Sequence, residues 1–574
     1  LEVRSWNPVN EVMTRTTRNL TVLLSACFLW LAASGGQAAD RRPNVILIVS
    51  DDQHREQANF LPAGRDENGR PKNLTPNIDR LAREGVVLRG LHCPSPLCVP
   101  SRFTCLTGNY ASRATNRWMM DLQKMHGHTF IHQEPNVVPK TPTLAKDLKA
   151  LGYVTGAVGK NHAIEAPGYE KVDARESLED PQVQARLRDN QRVCIEAYQK
   201  AGFDFAGRIY HTNPRVIGPP EIQVHNLDWI NEAGLDFIDR HGDRPFFLYY
   251  AVTVPHGPYH GYQADPRATP LGILPEVPRG LPPRESIAKR LAENGYSEER
   301  GDMLWLDDCV GSLLAKLEQC GQLDNTIILY LCDHGVEGGK TTCYHGGMLT
   351  FGFVWGPPAY VRGGRVDSSP CSIVDLAPTI NELCGGTPSG DRYDGVSLKP
   401  LLAGKKPAGP RVLYGEMGHT RAVVKGRWKY IALRYSDYHK NLPKSERLAW
   451  LDAANEYQRS NRWQTFEAND PDGPFGHSGF IPDLWDHEKV AFGSYPHFFD
   501  PDQLYDLQSD PREQHNLADD PRYKQVLEDL KQELRKFLAP LPGGFAEFKS
   551  SPACPLPMAE RIGVGRELMK TVFH

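Results

Sequence analysis

The chain has 574 residues, with 66 Lys and Arg against 70 Asp and Glu for a formal net charge of -4. That balance excludes the broadly cationic surface a nucleic-acid-binding protein needs, so an anionic ligand has to be met by a few local cations. Hydrophobic content of 40% and charged content of 24% are those of a globular protein, and the length supports a large core and more than one structural unit.

In chain order, a basic stretch with Arg15 and Arg18 begins at Met13 and is followed by the apolar run Leu20 to Ala33 and the small-x-small triplet Gly36-Gln37-Ala38. This predicts an export signal over residues 1–38, removed in the mature protein. The run is too short for a comfortable bilayer crossing, so no stable membrane span is expected, an uncleaved anchor being the rival reading. Asn44 to Ser50 is continuously apolar and ends in Asp51-Asp52, the pattern of a parallel strand buried on both faces whose carboxyl end opens onto a site. Similar strands are predicted at Val154 to Val158, Phe246 to Val252 and Thr326 to Cys332. Helical patterns fall between them at Thr75 to Glu84, Thr141 to Leu151, His225 to His241 and Asp302 to Cys320. Alternating strand and helix predict an α/β fold with helices on both sides of a sheet over residues 39–404. After the loop-like Leu402 to Pro407, short antiparallel strands are expected at Val412 to Glu416, Arg421 to Leu433 and from Gln503. An amphipathic helix follows at about Pro521 to Leu538. These make a smaller subdomain over 405–545, with 546–574 as a tail. Ser436 to Phe499 is long and poorly periodic, and its aromatics mark it as an ordered excursion. With Cys27 in the signal and Cys98 set apart, ten cysteines remain; buried reduced thiols are the default, and no pairing is assigned.

Six short segments carry chemistry. Pro96-Leu97-Cys98-Val99-Pro100-Ser101-Arg102, continued by Leu106-Thr107-Gly108, fits C-x-P-S-R-x-x-x-L-T-G. Gly152 to His162 fits G-Y-x-T-x-x-x-G-K-x-H, ending in Lys160-Asn161-His162. Asp51-Asp52 and Asp333-His334-Gly335 each follow a predicted strand, Pro255-His256-Gly257-Pro258 follows another, and Gly339 to Gly347 contains Lys340. Taken singly, each has an ordinary explanation. Cys98 reads as a buried thiol or a partner for Cys93 or Cys105, Asp51-Asp52 as a cap or solvated turn, and Lys160, Arg102 and the histidines as surface charges and turns. By ligand type alone, three aspartates and a histidine suit manganese or zinc as well as calcium.

Together and in this order, the segments resemble the formylglycine-dependent (type I) sulfatases of the alkaline phosphatase-like superfamily. The resemblance implies an α/β sandwich with a large, mostly parallel central sheet and a smaller C-terminal α+β subdomain with an antiparallel sheet. It implies that a maturation enzyme reading Cys98, Pro100 and Arg102 converts Cys98 to 3-oxoalanine (formylglycine), whose hydrate is the oxygen nucleophile. Asp51, Asp52, Asp333, His334 and the converted Cys98 would bind Ca2+, Lys160, His256 and Lys340 would hold sulfate, His162 would transfer protons, and Arg102 would steady the cluster. Val99, Cys105, Asn161, Cys343 and His345 depart from the family pattern.

The expected activity is hydrolysis of a sulfate monoester in an exported protein. The aromatics Trp450, Tyr457, Trp463 and Trp485 point to a sulfated saccharide, although they equally suit a core. The rivals are sulfamate hydrolysis, a phosphodiesterase or phosphonate monoester hydrolase of the same superfamily, and a silent glycan-binding relative. The last would be marked by loss of Cys98 or a metal-binding acid, and none is lost.

Overall fold

The apolar run Asn44–Asp51 forms strand β1, buried along its whole length. Seven more strands join it: β2 (Val86–Leu88), β3 (Val154–Lys160), β4 (Phe205–Tyr210), β5 (Phe246–Pro255), β6 (Thr326–Cys332), β7 (Gly352–Trp355) and β8 (Arg365–Asp367). The spatial order is β8-β2-β7-β6-β1-β5-β3-β4, with β1 parallel to both β5 and β6 at the centre. Only β7 runs against its neighbours. The computed structural model describes residues 42–405, 409–460, 467–479, 481–483, 486–550 and 556–573. The expected signal segment, Trp463 and Trp485 lie outside them.

Because side chains alternate across a strand, Val45, Leu47 and Val49 enter one core and Ile46 and Ile48 the other. Each face is covered by helices. On the first lie α2 (Cys98–Thr107), α3 (Leu144–Ala150) and α7 (Leu376–Leu383); on the second lie α1 (Pro76–Glu84), α5 (Leu227–His241) and α6 (Gly301–Gln319). The parallel sheet with helices on both faces is the expected α/β class.

Helix α4 (Pro181–Lys200) and strand β4, which it precedes, are absent from the sequence expectations. The buried stripe of α4 includes Asn190 and Gln191, so its apolar period is interrupted. Those amides are satisfied: Gln191 donates to the Ile209 carbonyl at 2.7 Å and accepts from the Ile209 N–H at 2.8 Å. This clamps α4 to the edge strand.

The second sheet is an antiparallel meander of β9 (Val412–Met417), β10 (Thr420–Lys425), β11 (Trp428–Leu433) and β12 (Asp502–Asp506). The strand expected over Arg421 to Leu433 is two strands, separated at Gly426, whose φ of 61° allows the reversal. Helix α8 (Lys524–Leu538) covers one face with Leu527, Leu530, Leu534 and Leu538, one side of an amphipathic helix. On the other face Met417, Ala422, Ile431 and Tyr505 pack against Leu97, Cys343, Tyr344 and Met348. The second sheet therefore supports the chain on either side of Cys98 and Lys340, and Asn44–His574 form one compact unit. Within the aromatic excursion, Lys444–Ser460 is a helix and Trp450 is buried in the core rather than presented to a sugar. Residues Met558–Phe573 form a further helix, whose Arg561 Nε donates to the Met125 carbonyl at 2.6 Å. The ten described cysteines form no disulfide, and no described helix is long and apolar enough to cross a membrane.

Candidate active site

The carboxyl ends of β1, β3, β5 and β6 meet the amino end of α2, bringing the segments singled out by sequence to one place. Helix α2 is buried over all ten residues, starts at Cys98 and stops at Gly108, whose φ of 69° closes it. Its first turn therefore points Cys98 at the strand ends, where the helix dipole adds positive potential. Ser101 Oγ donates to the Asp333 carbonyl, and Thr341 N–H to the Pro96 carbonyl at 2.9 Å, which fastens α2 to the loop after β6.

The acids and cations interleave. Arg102, with no exposed surface, places Nη2 3.4 Å from Asp51 Oδ1 and 3.2 Å from Asp333 Oδ2. Lys160 Nζ donates to Asp51 Oδ2, and Lys340 Nζ to Asp52 Oδ2 at 2.5 Å. His256 Nε2 is 3.4 Å from the same Asp52 oxygen. Asp52, at a φ of 54°, donates its N–H to Asp333 Oδ1 at 3.2 Å. His334 Nε2 is 3.1 Å from Asp52 Oδ1 and 3.5 Å from Cys98 Sγ. His162 is likewise in the left-handed region, at φ 58°, and its buried Nδ1 has no hydrogen-bond partner among the described residues.

These contacts set the protonation states. Burial would raise the Asp51 carboxyl, but Lys160 and Arg102 overcome it and hold it well below the usual carboxylate range. Burial is again opposed at Asp52, chiefly by Lys340 and His256, and the carboxyl is well down. For Asp333 burial prevails and the carboxyl rises. Burial would lower His334, yet Asp333, Asp52 and Cys98 together hold it well above its ordinary value. Burial keeps His162 well below its ordinary value, with Lys160 adding to the effect, and lowers His256 against the pull of Asp52 and Asp51.

The donor set suits a divalent cation. Ligand atoms of Asp51, Cys98 and Asp333 lie within 4.8 Å of one another, as do those of Asp52, Cys98 and His334. Asp51 Oδ1 is buried and accepts no hydrogen bond from the described residues. His334 Nδ1 is 3.0 Å from the Gly335 carbonyl, which can only accept, so Nδ1 carries a proton and Nε2 faces the acids. A cation there would take the place of the second proton on His334, as metal binding to imidazole requires.

One neighbour escaped the sequence reading. Asn213, just beyond β4, accepts from Lys160 Nζ at 2.5 Å and thereby directs the amine. The available signal was topological: a strand after α4, parallel to β3, must end at the same rim.

A family model described as sulfatase matches residues 43–386. Among curated proteins, dog (Canis lupus familiaris) N-acetylgalactosamine-6-sulfatase is 29% identical over 446 residues, covering 73% of this chain and 76% of its own. Human arylsulfatase A is 26% identical, covering 70% and 77% respectively. A solved structure from Bacteroides thetaiotaomicron, described in connection with the metabolism of multiple glycosaminoglycans, superposes with a TM-score of 0.56 at 20% identity, covering 87% of this chain and all of the other. A model match over more than half of the length, on a fold with these strand-end motifs, establishes that the chain belongs to the sulfatase family and is a sulfuric ester hydrolase.

Proposed function

We propose that the enzyme is exported and cleaves the S–O bond of a sulfate monoester on a saccharide, using formylglycine made from Cys98 and a bound calcium ion. The observation that carries this is the convergence of Asp51, Asp52, Asp333, His334 and Cys98 inside a ring of Lys160, Lys340, Arg102 and His256. Calcium held by the acids and His334 supplies Lewis-acid polarisation of the sulfate oxygens. The aldehyde hydrate supplies an oxygen nucleophile and a second hydroxyl through which sulfate is later expelled.

The chain's own residues do the rest. Arg102 stays buried between Asp51 and Asp333, favouring the ionised form of each against burial and fixing their oxygens. Lys160 and Lys340 reach sulfate oxygens, each directed by its carboxylate. His162, kept neutral by burial and with Nδ1 free, accepts a proton from the nucleophile's hydroxyl. His256 Nδ1 donates to the Gly257 carbonyl at 2.8 Å, so Nε2 is the atom left to face the departing ester oxygen, and it hands over a proton from the imidazolium form that Asp52 and Asp51 favour against burial. That is where charge develops in the transition state. The saccharide reading draws on the relative named for N-acetylgalactosamine 6-sulfate, and export on the signal-like sequence before Ala39.

Two measurements test this. In protein from a host with the maturation enzyme, the Cys98 peptide should be about 18 Da lighter, as the change from CH2SH to CHO demands of an activated nucleophile. Active enzyme carrying only unmodified cysteine would refute it. Released sulfate should be found with sulfated saccharides, and a matched aryl phosphodiester or sulfamate turned over faster than the sulfate ester would move the assignment to a rival chemistry.

A further inference from the structure

The segment after β4 carries a cation that this chemistry does not use. Asn213 is tied to Lys160, Pro214 is buried, and the 3-10 turn Pro214–Val216 leaves Arg215 at the surface. The guanidinium nevertheless does not extend freely into water. Its Nη2 and Cζ lie 3.0 and 3.6 Å from where a Cβ on Gly257 would stand, so it rests on the residue that follows His256. The missing side chain at 257 permits that approach. Among the described residues no carboxylate is within ion-pairing distance of Arg215, whereas its neighbour Arg208 is paired with Glu232. Lys160, Lys340 and Arg102 each already face an acid. Among the described residues, Arg215 is a positive charge at this rim with no acid paired to it.

Two residues after Gly257, Tyr259 is 66% exposed, among the most exposed large hydrophobic side chains described. The backbone beneath it is built rather than loose. His260 sits at φ 62°, and Asp302 accepts the His260 N–H at 2.8 Å and the Tyr262 N–H at 3.3 Å. An aromatic ring presented this way offers a flat apolar face two residues along the chain from the glycine on which the guanidinium rests.

We propose that Arg215 and Tyr259 form a specificity subsite beside His256 for a second anionic group, carboxylate or sulfate, on the saccharide that bears the cleaved ester, with the Tyr259 ring against the sugar. This rests on the saccharide-sulfatase reading above and adds the substrate class: multiply charged glycans. A guanidinium fork matches the oxygens of either anion.

The test compares kcat/KM on three substrates of the matured, calcium-loaded enzyme: a monosulfated saccharide, the same saccharide with a second sulfate, and the monosulfated saccharide linked to a uronate. The wild type should prefer one or both dianionic substrates by about tenfold, the scale of one charge-assisted hydrogen bond at a partly exposed site, and the preference should shrink with added salt. Whichever dianion is preferred identifies the source of the charge. Arg215→Ala should abolish the preference, Arg215→Lys should keep part of it, and Tyr259→Ala should raise KM for all three saccharides while an aryl sulfate is unaffected. Arg83→Ala, on the exposed side of α1, controls for net charge and should leave the ratio alone. Equal rates on all three substrates, or an Arg215→Ala ratio matching the wild type, would overturn the subsite while leaving the sulfatase reading intact. Hydrolysis of aryl sulfate with no turnover of any saccharide would overturn the subsite and the saccharide reading together.

Discussion

Replacing Lys429 by Met tests how the second sheet supports the catalytic loop. Lys429 Nζ on β11 lies 2.6 Å from Glu513 Oε1, with both side chains at 0% exposure. Glu513 also accepts the His345 N–H at 2.6 Å, so the pair holds the end of the loop carrying Lys340. Burial acts most strongly on both groups, lowering Lys429 and raising Glu513, and each is the other's main compensating charge. Methionine keeps the aliphatic stem but strands the carboxylate, at a cost of about 3–5 kcal/mol for a buried pair broken on one side. The double variant Lys429→Met/Glu513→Gln keeps an acceptor for His345 and should lose only about 1–2 kcal/mol. For a unit of roughly 530 residues, an unfolding entropy of about 2.1 cal/mol/K per residue converts the single loss to about 3–5 °C. The sign with pH follows from Glu513, whose folded value is raised above the ordinary 4.5. The deficit is smallest near the ordinary value and grows as pH rises through the raised one. Thermal scans at one rate, repeated at pH 5 and pH 8 with denaturant titrations, would read it. A single-variant loss under about 1 kcal/mol, or a double variant no better than the single, would refute the reasoning.

Other outcomes follow from the same geometry. Exhaustive chelation should stop turnover and calcium should restore it, with Asp52→Asn behaving like the chelated enzyme while its circular dichroism stays near wild type; full activity after rigorous metal removal would count against a metal. His162→Ala should release one equivalent of alcohol in a burst and then stall, whereas His256→Ala should slow the burst itself, most for alkyl leaving groups. Identical losses on aryl and alkyl sulfates in both variants would erase that division. Leu534→Ala, in the buried stripe of α8, should cost about 2–5 kcal/mol by denaturant titration, since it opens a cavity beneath the second sheet.

What was legible in the sequence follows from how each element is buried. β1, β5 and β6 lie at the centre with both faces covered, so their sequences read as unbroken apolar runs, and the acids that end two of them stand out as changes of character. β4 is the edge strand, part exposed, with Arg208 and Gly207 inside it, and its run Phe205–Tyr210 shows no such contrast. Missing β4 also hid Asn213 and Arg215, because a residue is known to be at the rim only when the strand before it is known. The helix Lys444–Ser460 was hidden the same way as α4, since its buried face includes Glu446, Asn455 and Gln458 beside Trp450 and Leu451. Glu446 there meets Arg566 of the last helix, a contact no local pattern contains.

The departures from the sulfatase pattern are absorbed by the packing behind the site. Asn161, in place of an aromatic residue, is fully buried and staples its own turn, donating to the Ile164 carbonyl and accepting the Ile164 N–H, both at 2.9 Å. His162, one residue on, donates its backbone N–H to the His211 carbonyl at 3.0 Å. The amide therefore supplies hydrogen bonds that hold a strained φ at His162, which an aromatic side chain could supply only through packing. Cys343 is equally buried and accepts from Thr420 Oγ1 at 3.5 Å, joining the Lys340 loop to β10. His345 packs edge-on against His92 with ring centroids 5.2 Å apart, and burial keeps it well below its ordinary value. A neutral imidazole avoids placing a second acid beside Glu513, whose paired cation is Lys429. These three departures thus change what stands behind Lys340 or His162 and leave the groups proposed to face sulfate as they are.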